Sequence, residues 1–496
     1  MTLSTVLFGI VGIPAVILTL LMYFVFKNTK SPFISFLQNY CGILFIFSGW
    51  VKAVDPLGTA YKMKDYFGEF ESTFSESGLS FLAPMFPVLG EYSLGFAVAM
   101  IVFEIVLGLM LLTGAAPKFT SWAFLLLVGF FTFLTGFTYL TGYVPNEVNF
   151  FEFSKWGEFN ENNMKVKDCG CFGDFIKLVP FTSFLKDVAL LFPAFIFLFT
   201  QKKMHQFFNK PIRSGLLGVS LVGFILYCFS NFKWDIPHMD FRPFAKNVNV
   251  RQVKAKEAEA MAGVKITDWK MKNIETGKMI TVPNAEYMGK DPEKNYKKYK
   301  GVYKVTDQIR TKPAIPATKI SDFVIEDKDG NDLTEAILSS TEHNFLIVNY
   351  KLKGKGVEKT KTVIDSLFTV DTLQTDPLTI DRSFDKTVER LETYMDYEWE
   401  SAYLQKHKML KPFTDAAKQR GIPVVMAIGG ADEMTIADFN EDTGLDLTYG
   451  MADDILLKTI VRSNPGVVLF RDGKILDKWH IDKLPDFEKV AKAYLN

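Results

Sequence analysis

Cysteine is scarce in this chain, with four among 496 residues, and that excludes a small-core scaffold stapled by disulfides. Histidine numbers only five; His238, His343, His407 and His480 are scattered, as solvent-facing or packing residues are. Neither sign of charge is in excess. The 56 basic and 56 acidic residues cancel, so nothing in the balance points to nucleic acid or to an acidic partner. The glycine fingerprint of dinucleotide sites, the phosphate loop and the His-Glu-x-x-His motif are all absent. The most informative lack is regional: up to about residue 230 charge is sparse and Phe abundant, whereas beyond it Lys, Asp and Glu are dense. The 48% hydrophobic content therefore averages two unlike halves.

Six apolar runs in the first half are long enough to cross roughly 30 Å of hydrocarbon at about 1.5 Å per residue. They are Leu3–Phe26, Phe33–Val51, Leu94–Leu112, Ser121–Tyr143, Ser183–Thr200 and Ser214–Ser230. The first has no basic residue before it and is followed by Lys27 and Lys30, the mark of a retained helix and not of a signal peptide. Three short loops, carrying Lys27 and Lys30, then Lys118, then Lys202, Lys203, Lys210 and Arg213, hold no acidic residue. The loops 52–93 and 144–182 mix Lys with Asp and Glu. Lys and Arg are retained on the cytoplasmic side, so the basic loops are expected inside, and the mixed loops and residue 231 onward outside. In a bacterium this describes a multi-pass inner-membrane protein with a periplasmic second half.

The loop 144–182 contains Asp168-Cys169-Gly170-Cys171-Phe172-Gly173-Asp174. A disulfide across one intervening residue closes a small, strained ring, and strain makes the bond labile, which suits exchange. Inert thiols, a structural disulfide to another Cys, and a metal or cluster site remain open, the last without another Cys or His nearby in sequence to complete four ligands. Cys228, at the same membrane face, is either a resolving thiol or a small buried residue; Cys41 lies deeper and is packing. Glu104 falls near the middle of the third run, where an ionised carboxylate is costly, so it should face the bundle interior, with Lys52 among its candidate partners. It is either a group that handles protons or binds quinone or substrate, or a neutral structural carboxyl. Lys52, Asp55, Lys186 and Asp187 mark the outer boundary, as a charged cluster or as snorkelling interfacial residues.

Ser48-Gly49-Trp50-Val51-Lys52-Ala53-Val54-Asp55-Pro56-Leu57-Gly58-Thr59-Ala60 resembles the signature of the DoxX superfamily. The Cys-Gly-Cys-Phe-Gly loop is similar to that of its MauE-type members, which are associated with disulfide formation and redox maturation. The resemblance covers roughly residues 33–200 and implies a four-helix core; Gln38 departs from it, because such proteins often carry a basic residue there. It implies a thiol–disulfide protein in which Cys169 and Cys171 exchange with an envelope substrate and electrons pass to a membrane acceptor such as quinone. The rival expectation is a non-enzymatic scaffold or assembly factor that docks envelope partners. A small-molecule or lipid transporter is disfavoured by the poverty of intramembrane charge.

The second half divides at Lys312-Pro313-Ala314-Ile315-Pro316, giving blocks 1–230, 231–320 and 321–496. Arg251 to Ala262 is compatible with a short helix, and Phe323-Val324-Ile325 with the Asp329-Gly330 turn suggests a hairpin. Phe345–Tyr350, Ile422–Ile428 and Val467–Phe470 have the pattern of buried strands, with helices around 401–420 and from about Pro485. This order resembles the thioredoxin fold, with Pro465 where that family has its cis-proline. Ile236-Pro237-His238-Met239-Asp240-Phe241-Arg242-Pro243 before such a tail further resembles a fused DoxX-type architecture of Bacteroidota. The catalytic Cys-x-x-Cys is missing: Tyr350 is followed by Lys351-Leu352-Lys353-Gly354-Lys355-Gly356 and an insertion of about 45 residues, with no Cys beyond Cys228. Such a domain binds partners or is structural; it is not a dithiol oxidoreductase.

Overall fold

Each of the six apolar runs forms a helix in the computed structural model, which describes residues 2–166, 170–289, 297–373 and 379–495. The spans are α1 (Thr5–Val25), α2 (Pro32–Val54), α5 (Ser93–Thr113), α6 (Pro117–Leu140), α7 (Pro180–Thr200) and α8 (Lys210–Phe229). Between α2 and α5 lie α3 (Pro56–Ser75) and α4 (Met85–Glu91). Pro32, Pro56, Pro117 and Pro180 each open a helix, where the missing N–H costs nothing. All six spans are long and apolar enough to cross a membrane. The first unit runs from Met1 to Ala245 and the second from Lys246 to Asn496.

Glycine sets the closest helix crossing. A Cβ on Gly42 of α2 would lie 2.9 Å from the Gly108 carbonyl oxygen of α5, and one on Gly108 would lie 2.8 Å from that of Gly42. Only bare backbones approach so closely, the small-residue route to helix packing where water offers no driving force. At its C-terminal end α5 is capped carbonyl by carbonyl. Leu111 accepts from Gln38 Nε2 at 3.2 Å, Leu112 lies 2.9 Å from His205 Nε2, Thr113 accepts from the Phe207 N–H at 2.9 Å, and Gly114 from Arg213 at 3.0 Å. These are the acceptors a helix end leaves without intrahelical partners.

In the second unit, α9 (Val250–Ala262) precedes an antiparallel sheet ordered β2-β1-β3, from β1 (Ile266–Asn273), β2 (Met279–Pro283) and β3 (Tyr303–Arg310). A five-stranded sheet follows, ordered β10-β9-β4-β7-β8: β4 (His343–Asn349), β7 (Val424–Gly429), β8 (Thr448–Ala452), β9 (Gly466–Arg471) and β10 (Lys474–His480). β4, β7 and β8 are parallel, whereas β9 is antiparallel to β4 and to β10. Phe345 and Ile347 on one face of β4 join a buried core with Leu410, Phe413, Ala417, Phe439 and Phe487. The Asn464–Pro465 bond ahead of β9 is cis. The insertion after β4 is a long ribbon of β5 (Gly354–Leu373) and β6 (Thr379–Trp399).

Two local expectations change. The hairpin at Asp329-Gly330 shrinks to a single bridge between Glu326 and Asp332, because the Asp327 carboxylate accepts the N–H groups of Asp329 and Asn331 and closes a tight turn instead. The helix around 401–420 splits into α10 (Ser401–Lys408) and α11 (Lys411–Gln419), with Pro412 opening the second.

Candidate functional site

The described part of the cysteine loop sits on the C-terminal end of α2. Gly170 and Gly173 both have positive φ, a conformation glycine adopts without steric cost, and the Gly173 N–H closes a turn on the Gly170 carbonyl at 3.0 Å. The turn aims the Cys171 carbonyl at Ser48 Oγ, which donates to it at 2.9 Å. Phe172 is buried beside Phe47, with ring centroids 6.2 Å apart, and Phe175 packs on Phe47 at 5.6 Å and on Phe241 at 5.0 Å. Cys171 itself is half-buried. Cys169 lies outside the described residues.

One turn beyond Ser48, Lys52 points into the bundle. Its Nζ is 2.5 Å from Glu104 Oε2, and both side chains are almost fully buried, at 5% and 2% exposed. The glycine-mediated crossing of α2 and α5 makes this pairing possible, and Gly49 adds to it by meeting Ile105. Lys52 Nζ also stands 5.0 Å from the centroid of Phe131 on α6, within cation–π range. One turn along α6, Thr135 donates to Asp187 Oδ2 at 3.1 Å, and Asp187 is paired with Lys186, whose Nζ is 5.9 Å from the Phe172 ring centroid. The two buried ion pairs thus flank one face of α6, and the second abuts the residue next to Cys171. A buried charge is tolerated when it is paired, and both are.

The boundary residues engage several partners. Lys52 turns to Glu104, Asp187 to Lys186 and Thr135, and Asp55 accepts from the Gly58 N–H, capping α3. Cys228 is fully buried against Ala53, Ile101 and Ile105, and Cys41 is fully buried in the main apolar core. Among the described residues no three His, Cys, Asp or Glu side chains group as metal ligands. An apolar groove of about 520 Å³, lined by Phe103, Phe119, Trp122, Ala123, Leu126 and Leu127, opens between α5 and α6.

Residues 30–146 match the family model of methylamine utilisation protein MauE. With its six apolar helices, this chain is a multi-pass membrane protein whose α2–α6 region is MauE-like. The match contains Ser48, Lys52 and Glu104 and stops short of the cysteine loop. No curated protein and no solved structure matches the chain.

Several residues of consequence carried little signal in the sequence. His205 is fully buried, and burial lowers the pKa of its imidazole below the ordinary value. Its backbone N–H donates to Gln38 Oε1 at 2.9 Å, so Gln38 serves here as a polar cap. Gly42 and Gly108 were legible only as glycines in apolar runs. Helix α3 did have a signal, with Ala60, Met63, Phe67 and Phe70 at helical spacing, but the charges between them made it look like loop. Its Tyr66 hydroxyl reaches Thr138 of α6 at 2.7 Å.

Proposed function

We propose that the chain is a thiol–disulfide exchange protein of a bacterial inner membrane, with Cys169 and Cys171 as the exchanging pair. The observation that carries this reading is the docking of the Cys171 backbone on Ser48, one helical turn from the buried Lys52–Glu104 pair. In the forward reaction a client dithiol is oxidised as the Cys169–Cys171 disulfide opens. The resulting dithiol is then reoxidised by a membrane quinone, which takes up two electrons and two protons as quinol. In this reading the Lys52–Glu104 and Lys186–Asp187 pairs would relay those protons from the thiols to the quinone, and the apolar groove beside α5 suits a hydrocarbon tail. Cys228 would serve as resolving thiol only if its helix approached the loop. Methylamine utilisation, which describes the matched family, is compatible with an accessory role in maturing a client.

The second unit, periplasmic in this reading, is a thioredoxin-like domain without the dithiol, and its strand order and parallel β4–β7 pairing support that likeness. Its role is to hold envelope partners near the membrane site. The scaffold alternative is favoured by one feature, the long ribbon that stands where the dithiol would be. Cys171→Ser and Cys169→Ser, expressed singly in cells, decide between the two. Exchange predicts that one of them traps mixed disulfides with clients, visible on non-reducing gels and lost on reduction. If neither accumulates a covalent partner, the scaffold reading stands.

A further inference from the structure

The ribbon of β5 and β6 pairs 20 residues with 21 and extends for about 65 Å at roughly 3.3 Å per residue. Among the described residues no third strand covers either edge. Its base is held: Trp399 Nε1 donates to Asp438 at 3.0 Å, and Thr435 donates to the Tyr397 hydroxyl at 2.6 Å. Further out the ribbon is exposed on both faces, with Leu391 74% exposed on one and Val388 39% exposed on the other. A lone two-stranded hairpin is marginal in water, and open edges are templates for pairing.

Charge selects the partner. On one face β6 carries Lys386, Arg390, Glu392 and Asp396 in that order, two positive and then two negative. Across the ribbon Arg390 pairs with Asp365 at 2.6 Å, Glu392 with Lys361 at 3.5 Å, and Asp396 with Lys359. Reversed about Leu391, this order is its own complement. We propose that the protein dimerises by antiparallel pairing of β6 with β6 of a second copy, about a two-fold axis at Leu391. Arg390 then faces Glu392 of the second copy, and Lys386 faces its Asp396, each pair occurring twice. Charges alternate across the four strands: Lys361, Glu392, then Arg390 and Asp365 of the second copy. Shifting the axis by one residue sets Arg390 against Arg390, or Glu392 against Glu392, a direct like-charge penalty. The two-fold axis closes the assembly, so it ends at two copies.

The test uses the full-length protein in detergent, with mass read by light scattering. The unchanged chain should be a dimer. Arg390→Glu alone and Glu392→Arg alone each oppose like charges twice, and both should be monomers. Mixed in equal amounts, the two variants should recover a heterodimer, an outcome that misfolding of either could not produce. Leu391→Cys should cross-link between copies on mild oxidation, since directly opposed Cα atoms lie about 4.5–5.5 Å apart, and Glu389→Cys should not. Both are read against the unchanged chain to allow for its own thiols. A monomeric unchanged chain, a dimer indifferent to both charge reversals, or cross-linking at 389 and not 391 would each overturn the pairing. The proposal is independent of the thiol chemistry.

Discussion

Lys52 and Glu104 test how a membrane bundle tolerates charge. Each is acceptable because the other is there, so removing one leaves an unpaired buried charge and costs about 3–5 kcal/mol, whereas replacing both with apolar residues of similar size is near neutral. Lys52→Met or Glu104→Leu should therefore lower the unfolding temperature in detergent clearly, and the double variant should regain most of the loss. Equal destabilisation by the single and double changes would mean the pair matters through packing alone. Glu104 was legible because a carboxylate in an apolar run demands an explanation, and Lys52 because it stands at a span end on the neighbouring helix. Their 2.5 Å contact was not legible, because it depends on Gly42 and Gly108 letting two backbones touch. His407 makes a second residue-scale case. It is fully buried, with Nδ1 2.9 Å from the Tyr403 carbonyl and Nε2 2.8 Å from Asn349 Oδ1, and burial pushes its pKa down to about 4. The unfolded chain takes up this proton near pH 6.5 and the folded one does not. Stability is thus full above about pH 6.5 and falls as the pH drops towards about 4, by about 3 kcal/mol in all. Hydrogen exchange at the β4 amides should show this slope, and His407→Leu should flatten it; an unchanged slope would assign the pH dependence elsewhere.

Among the elements, the helix ends were the least legible. The spans could be read because a run of about 20 apolar residues has few other fates, and the observed bounds fall within a few residues of those expected. Nothing in the sequence announced that Gln38, His205, Phe207 and Arg213 converge on the last carbonyls of α5, since the loop that supplies three of them lies some 90 residues away. Gly114 shows how tight that junction is. It has φ +66°, and a Cβ there would fall 1.8 Å from the His205 carbonyl oxygen. Gly114→Ala should cost at least about 2 kcal/mol. Gly129, half-buried in the middle of α6 with nothing within 4 Å of its would-be Cβ, gives the contrast. Gly129→Ala should be neutral or stabilise by up to about 1 kcal/mol. Thermal unfolding of the two variants side by side checks the cap; equal effects would mean that the His205 loop moves aside at no cost. The ribbon was invisible for a different reason. Its strands are exposed on both faces, so they lack the alternation of apolar and polar residues that marks a half-buried strand.

At the scale of the whole molecule, the thiol chemistry depends on which side of the membrane the loop 144–182 occupies, because disulfides persist only in an oxidising compartment. Charge asymmetry is the physical ground for the orientation. The loops between α1 and α2, between α5 and α6, and between α7 and α8 carry Lys and Arg with no Asp or Glu, and such loops resist translocation. With an even number of spans the two ends of the first unit share a side, so the proposed orientation puts the second unit and the cysteine loop on the side of the membrane away from the basic loops. A reporter active only outside the cytoplasm should therefore be active when fused after Asn496 and inactive when placed within 201–213. Adding Lys residues to the loop 144–182 should reduce the activity of the C-terminal fusion, because the rule acts through positive charge retained near span ends and not through net charge. If the C-terminal fusion were silent and the 201–213 fusion active, Cys169 and Cys171 would face a reducing compartment. The exchange mechanism would then fail whatever the geometry of the loop, and the scaffold reading with its ribbon-bearing domain would remain.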